Sequence, residues 1–223
     1  MATSDLVRTS ALEGAIQAAT TLPILTDGPV IVGPPQGQWT HDDWETLLDH
    51  GQGIRYEIID GALYMTTAPS SFHQWIIRHL DRHLGIPAED QGLAFSFSAP
   101  VGVIMQGCDP VQPDFVVVLA PNSAIIRNRR IMGAPDLLIE VLSPSNAPYD
   151  RRVKLLAYAT AGVPEYAIVD PAARELVHYR RNARGRYDAP RTYTAADTVT
   201  FDCLPGIAVT VGDLFAGAPD TTL

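Results

Sequence analysis

Lysine is nearly absent from this sequence. Of its 16 cationic side chains, all are arginine except Lys154. The cations are outnumbered by 25 acidic residues, so the net charge is −9. This balance excludes a protein that coats nucleic acid by bulk electrostatic attraction, but it allows basic residues to be gathered locally. Arginine groups at 127–130 and 180–186 suit such a role and, equally, a solvated surface.

Cysteine and long apolar runs are also scarce. Cys108 and Cys203 lie far apart without a Cys-x-x-Cys spacing, so we expect no disulfide framework and a reducing, cytoplasmic setting. No run approaches the roughly 20 apolar residues of a membrane-spanning helix. The first five residues lack the basic start of a secretory signal. We therefore expect no membrane association.

The chain has the length and composition of one domain. Its 223 residues and 46% hydrophobic content suit a substantial core. Residues 1–36 are rich in Ala, Thr, Gly and Pro and show no strong period. We expect them to form a loosely ordered N-terminal arm before a single domain at 37–223.

Helical and strand patterns alternate in the domain. Thr40–Asp43 resembles a capping box, and Asp60-Gly61 predicts a hairpin turn. Amphipathic helices are predicted before Gly85 and before Gly162. Apolar strand-like runs are predicted at 93–98, 101–105, 114–119, 136–143, 165–170 and 175–181. Several of these runs are continuous, which is typical of strands covered on both faces, so we predict an α/β fold with a mixed central β-sheet flanked by helices.

Two acidic residues stand in apolar strand patterns. Asp114 opens one run, and Glu140 shares a strand face with Leu138 and Leu142 in another. An unpaired carboxylate buried there would cost several kcal/mol, so each acid needs a partner. One such partner is a shared Mg²⁺ held by both acids and the Val141 carbonyl, since this ion prefers oxygen ligands and keeps several waters. Pairing with an arginine is the ordinary alternative.

Lys154 follows these acids on a predicted helix. Lysine is a compact ammonium that can lower its pKa in a desolvated site and exchange a proton, whereas arginine stays protonated. It therefore suits a place near an attacking water or near transition-state charge. The spacing also predicts an ordinary i, i+4 salt bridge with Asp150, worth about 0.3–0.5 kcal/mol.

Several segments together resemble a known family. The runs "QPDFVVV", "DLLIEVLSPSN" and "DRRVKLLAYATAGVPEYAIVDP" are similar to the restriction-endonuclease-like family, long catalogued as a domain of unknown function, of the PD-(D/E)XK nuclease superfamily. The run "YEIIDGALYM" and the serine-rich segment before His73 resemble it as well. The resemblance extends over about residues 39–215, and 136–171 is its most specific part.

The resemblance implies a restriction-endonuclease-like core with a metal site. Asp114 and Glu140 would bind Mg²⁺ or Mn²⁺. The lysine usual in the superfamily would fall two residues after the glutamate, where this chain has Leu142, and Lys154 matches a lysine displaced onto the next helix. Glu57 matches an early acidic residue that contacts metal or water.

His73 matches a further family position, with an accessory role. A lone histidine at the start of an amphipathic helix is also commonly a cap or a packing residue.

The expected function is that of a metal-dependent DNA endonuclease that hydrolyses phosphodiester bonds. A homodimer is expected by analogy, because two cuts in a duplex suit two-fold symmetry. The alternative is a catalytically inactive nuclease fold that acts as a nucleic-acid-binding or protein-interaction module. A glycoside hydrolase that uses the same acids without metal is a weaker third possibility.

The arm yields a first prediction. Deletion of residues 1–30 is expected to leave soluble folding intact, because an aperiodic segment contributes little to a core. Expression yield and thermal melts of the truncated and full chains test this. Loss of soluble folding would show that the arm is a docked element, such as one exchanged in a dimer.

Overall fold

The computed structural model describes residues 31, 33–47, 55–66, 68–143 and 147–218. Most of the arm expected at 1–36 lies outside these residues. The strands of the described chain are β1 Arg55–Ile59, β2 Ala62–Thr66, β3 Ala94–Ser98, β4 Gly102–Met105, β5 Cys108–Val111, β6 Phe115–Leu119, β7 Arg130–Met132, β8 Leu137–Val141, β9 Glu165–Asp170, β10 Glu175–Arg180, β11 Arg191–Tyr193, β12 Thr198–Thr200 and β13 Ala208–Thr210. The α-helices are α1 His41–Glu45, α2 Ser71–Leu80, α3 Ile86–Asp90 and α4 Leu155–Ala161. The π-helical turns are Asp81–Gly85 and Tyr149–Lys154, and the 3₁₀ turns are Ala120–Ile125 and Val211–Leu214.

Two larger sheets form the framework. One has six strands in the order β11-β10-β9-β8-β6-β3, and the other has five in the order β2-β1-β5-β4-β7. Strands β8 and β9 are parallel, as are β4 and β7, within otherwise antiparallel sheets. The predicted α/β class with mixed strands flanked by helices is confirmed, but the described strands divide into two larger sheets and a separate pair, β12-β13, instead of one sheet.

A short proline-containing segment connects the two sheets at the site. The chain leaves the five-stranded sheet after Val111 and enters the six-stranded sheet at Phe115. Pro113 lies between these strands and has no N–H to donate to either ladder. Asp114 thus lies where the two sheets meet.

The core covers both faces of the six-stranded sheet. Because side chains alternate along a strand, Phe115, Val117 and Ile139 face α2 and the C-terminal strands. On the opposite face, Val116 and Leu138 pack with the five-stranded sheet and α4. The strands are buried on both sides, as their continuous apolar runs predict.

The helix expected to stop at Gly85 continues to Asp90. Gly85 has helical angles of φ −63° and ψ −63°. A Cβ at this position would lie 2.5 Å from the Ser96 hydroxyl and 2.7 Å from Asp81 Oδ1. Close packing on β3, and not helix termination, therefore requires the glycine. Gly162 does end α4, with a left-handed φ of 101°.

Two other local predictions are confirmed. Thr40 and Asp43 exchange the hydrogen bonds of a capping box. Asp60 and Gly61, with φ of 48° and 72°, form the two-residue turn between β1 and β2. The pattern does not reveal β5, β7 and β11, which have only three or four residues each.

Cys108 and Cys203 are both free, as expected. Among the described helices, none is both long and apolar enough to cross a membrane.

Candidate active site

Asp114 and Glu140 meet across two neighbouring strands. The antiparallel register pairs Phe115 with Ile139, and its continuation by one residue sets Asp114 opposite Glu140. Residues opposite each other point to the same face, with Cβ atoms about 4.5–5.5 Å apart. The N–H of Val141 also donates a hydrogen bond of 2.9 Å to Asp114 Oδ2.

These two acids line one cleft, which we call the acid cleft. It lies at the junction of the two sheets, next to the start of α2. Its lining contains Arg55, Glu57, Ala68, Pro69, Ser70, His73, Gln112, Asp114, Glu140, Val141, Ser143, Asp150 and Lys154.

Lys154 binds three carboxylates of this cleft. Its Nζ lies 3.0 Å from Glu140 Oε1, 3.2 Å from Glu57 Oε2 and 3.5 Å from Asp150 Oδ1. An ammonium has three N–H donors, so each carboxylate has one available to it. The i, i+4 salt bridge with Asp150 is therefore present, but it is the longest of the three contacts.

A π-helical turn positions the lysine. Hydrogen bonds from i to i+5 bring Tyr149 and Lys154 to one side of the turn, and Nζ lies 5.1 Å from the centre of the Tyr149 ring. The Tyr149 hydroxyl donates to Glu57 Oε2 at 3.0 Å. One α-helical turn further, the Tyr158 hydroxyl donates to Glu140 Oε1 at 2.8 Å. Both tyrosines thus hold the acids that surround the ammonium. Such π turns occur frequently at functional sites.

Asp114 has basic neighbours of its own. His73, in the first turn of α2, places Nε2 3.1 Å from Asp114 Oδ2. The Ser70 hydroxyl accepts the backbone N–H of His73, so the helix cap fixes this residue. Arg55 places Nη1 3.5 Å from Asp114 Oδ1. Arg55 and Glu57 are two residues apart on β1, and both therefore point into the acid cleft.

Acids outnumber cations inside the cluster. Burial raises the pKa of Glu140 well above its usual range; the charge of Lys154 opposes this shift, and the charges of the neighbouring acids add to it. Burial likewise raises the pKa of Asp150 to about 7. At Lys154 burial acts in the opposite direction, but Glu140, Glu57 and Asp150 outweigh it and hold the pKa well above its usual range. The lysine is therefore protonated. Its pKa is raised, whereas desolvation alone would lower it.

Asp114 differs from the other acids. Burial raises its pKa, but the hydrogen bond and charge of His73, followed by the charges of Lys154 and Arg55, outweigh burial, so the pKa lies below its usual value. Asp114 is therefore ionised at neutral pH, while Asp150, with a pKa of about 7, is only partly ionised there.

The donor set fits a hard divalent cation. Two carboxylates and a backbone carbonyl are oxygen ligands, and Mg²⁺ is commonly bound by one or two carboxylates plus waters. The excess of acids over cations in the cleft favours the addition of positive charge. In the described part of the chain, no three His, Cys, Asp or Glu side chains are grouped so as to hold a metal ion by themselves. Backbone and water ligands would therefore complete the coordination.

Comparison with known proteins identifies the family. The sequence model of the Uma2 family, described as "Putative restriction endonuclease", matches residues 27–212. The chain belongs to this family. It is also similar to a crystal structure of "a putative nuclease belonging to DUF820" from Anabaena variabilis, with a TM-score of 0.66 and 19% identity over 79% of this chain and 97% of that chain. This likeness shows a shared fold. No curated protein matches the sequence.

The structure brings together every site residue that the sequence suggested for this Uma2 protein. Asp114, Glu140, Lys154 and Glu57 line one cleft, with the Val141 backbone beside them. His73 serves both as a residue at the helix cap and as a partner of Asp114.

Sequence reasoning missed three residues of the site, Arg55, Tyr149 and Tyr158, and it assigned Asp150 only an ordinary salt bridge with Lys154. A helical stripe was the available signal for Tyr158, because positions 150, 154 and 158 recur every four residues. Arg55 precedes Glu57 by two residues, which places both on one face of a strand.

Neither arginine group lines the described part of the acid cleft. Arg130 instead pairs with Glu45 at 2.6 Å and lies over the Trp44 ring. Arg181 donates to the Ala159 carbonyl at 2.7 Å. These two arginines therefore make contacts within the protein and lie outside the described lining of the acid cleft.

The pKa of Asp150 leads to a pH-dependent prediction. The folded protein holds this proton more tightly than the unfolded chain, since the ordinary pKa is 3.8 and the folded value is about 7. The carboxyl therefore destabilises the fold increasingly as pH rises from about 4 to about 7. Asp150→Asn is expected to raise the Tm at pH 8 by about 2–8 °C, or about 1–2 kcal/mol, and to change it little at pH 4.5.

Thermal melts at the two pH values measure this effect. Asp90→Asn, at an exposed position, is the matched control and should show no pH-dependent change. A lower Tm for Asp150→Asn at pH 8 would contradict the prediction and would mean that the ionised carboxylate is needed by Lys154.

Proposed function

We propose that this protein is a metal-dependent endonuclease that hydrolyses phosphodiester bonds in DNA. The observation that carries the proposal is the pairing of Asp114 with Glu140 across β6 and β8, in one cleft with a buried Lys154. Membership of the Uma2 family, described as "Putative restriction endonuclease", supports the reaction class.

Each residue of the cleft has a chemical task in this proposal. Asp114, Glu140 and the Val141 carbonyl would hold Mg²⁺ or Mn²⁺. When bound, such an ion polarises a phosphate oxygen and lowers the pKa of a bound water. Glu57, which accepts the Gln112 N–H at 2.6 Å, would help to orient the lysine through its contact of 3.2 Å with Nζ.

Lys154 would act as a cation and not as a base. Its pKa lies well above the usual range, so the ammonium keeps its proton at the pH of the reaction. A fixed positive charge beside the reacting phosphate stabilises the negative charge that develops in the transition state. His73 would hold the Asp114 carboxylate in its ionised, metal-binding form.

The homodimer belongs to the same proposal. Two active sites related by a two-fold axis would match the two strands of a duplex. Size-exclusion chromatography with light scattering would measure the assembly in solution.

The direct test is cleavage of single-stranded, duplex and branched DNA by the purified protein in Mg²⁺ or Mn²⁺. We expect cleavage that EDTA abolishes. Asp114→Asn and Glu140→Gln should each reduce it by at least about 10²-fold, because each removes a negative ligand from the cation. Glu140→Gln should keep the wild-type Tm or exceed it at pH 8, since the carboxyl that it replaces is costly to ionise.

Two outcomes would contradict the nuclease. Cleavage that persists in EDTA would remove the metal from the reaction. DNA binding without cleavage under every condition would favour the alternative, a non-catalytic module on the same fold.

Lys154 provides a separate prediction. Lys154→Arg is expected to lose about 10²-fold or more in cleavage, because a planar guanidinium cannot take the place of a compact ammonium between three carboxylates. Lys154→Met should also lower the free energy of unfolding by about 3–5 kcal/mol at pH 8, because it leaves buried acids without their cation. Nuclease assays with thermal melts measure both effects. Wild-type cleavage by Lys154→Arg would exclude the lysine from the reaction.

A further inference from the structure

Arg55 is a cation of the acid cleft with unused hydrogen-bonding capacity. A guanidinium has five N–H donors in a fixed fork. The contact of Arg55 with Asp114 is long, at 3.5 Å, and its Nε is buried without a partner in the described structure. Lys154, in contrast, is surrounded by three carboxylates. Arg55 is also 20% exposed, so it can reach a ligand that enters the cleft.

The N-terminus of α2 borders the same side of the cleft. Ala68, Pro69 and Ser70 belong to the lining, and the helix that follows has ten residues. Ser70 accepts the N–H of His73 through its side chain and the N–H of Gln74 through its carbonyl. The two N–H groups that precede these in the first turn have no acceptor within the helix. They lie at the positive end of the helix dipole.

His73 supplies an independent sign of a ligand. Its side chain is only 6% exposed and lines the cleft, with Nε2 directed at Asp114. Its Nδ1 is buried and has no hydrogen-bond partner within the described residues. Buried polar atoms are rarely left unpaired, so an unpaired atom in a cleft wall indicates a site that a bound group completes.

We propose that Arg55, His73 and the first turn of α2 form a phosphate-binding subsite for a backbone phosphate of DNA adjacent to the acid cluster. This inference rests on the proposed function, in which DNA enters the acid cleft. The fork of a guanidinium matches two phosphate oxygens, and helix N-termini bind anions through their free N–H groups. A chain with a net charge of −9 needs such local contacts, because its overall field repels DNA.

The experiment measures binding of a fluorescent duplex oligonucleotide by anisotropy, with Ca²⁺ in place of Mg²⁺, between about 50 and 200 mM salt. Arg55→Gln should weaken binding about tenfold and reduce the slope of log K against log salt by about 0.9, the value for one lost phosphate contact. Arg55→Lys should keep the slope, because it keeps the charge, and should bind with intermediate affinity. Arg82→Gln, the same change at an exposed position outside the cleft, should have no effect.

The outcomes separate the subsite from the nuclease. If the wild type cuts DNA in Mg²⁺ while Arg55→Gln keeps the wild-type affinity and salt slope, the subsite is overturned and the nuclease stands. If binding depends on Arg55 as expected but neither Mg²⁺ nor Mn²⁺ supports cleavage, the subsite stands and the nuclease is overturned. A wild-type protein that does not bind DNA overturns both. Thermal melts of the three variants confirm that each one is folded.

Discussion

The contact of the Lys154 ammonium with three carboxylates ties three layers of the molecule together. Glu57 belongs to the five-stranded sheet, Glu140 to the six-stranded sheet and Asp150 to the turn that leads into α4. One buried cation thereby sets the position of both sheets and a helix relative to one another. Apolar packing alone tolerates small shifts between layers. A shift that separates a buried acid from its cation is strongly destabilising.

The protonation of the cluster differs from acid to acid. His73 keeps Asp114 ionised, while burial among like charges raises the pKa of Glu140 well above its usual range and that of Asp150 to about 7. Titratable groups whose surroundings move their pKa values apart are characteristic of catalytic sites. A cation bound between Asp114 and Glu140 would displace protons from the cluster. Metal affinity would therefore depend on pH through the same residues that hold the fold together.

The sequence predicts the parts of the site that depend on local pattern or on the family motif. The apolar strand patterns single out Asp114 and Glu140, the scarcity of lysine singles out Lys154, and the resemblance adds Glu57 and His73. Asp150 shows why the remainder is not predictable: its i, i+4 spacing from Lys154 suggests a weak surface pair, and only burial among other acids changes its chemistry. Arg55 joins the site through sheet packing between distant segments, which local periodicity does not encode. The role of Gly85 is likewise not encoded locally, since close packing against β3 requires a glycine at this position.

The surroundings of Lys154 give a physical reason for the one lysine in this chain. Leu142 is two residues after Glu140 and so has the same strand parity, but it is buried within the apolar cluster that includes Val116 and Leu138. A cation carried instead by the π-helical turn before α4 reaches Glu57 and Asp150 as well as Glu140. Three acceptors at 3.0–3.5 Å around one atom suit a compact ammonium with three donors. The flat fork of arginine directs its donors in one plane and suits the edge of the cleft, where Arg55 lies.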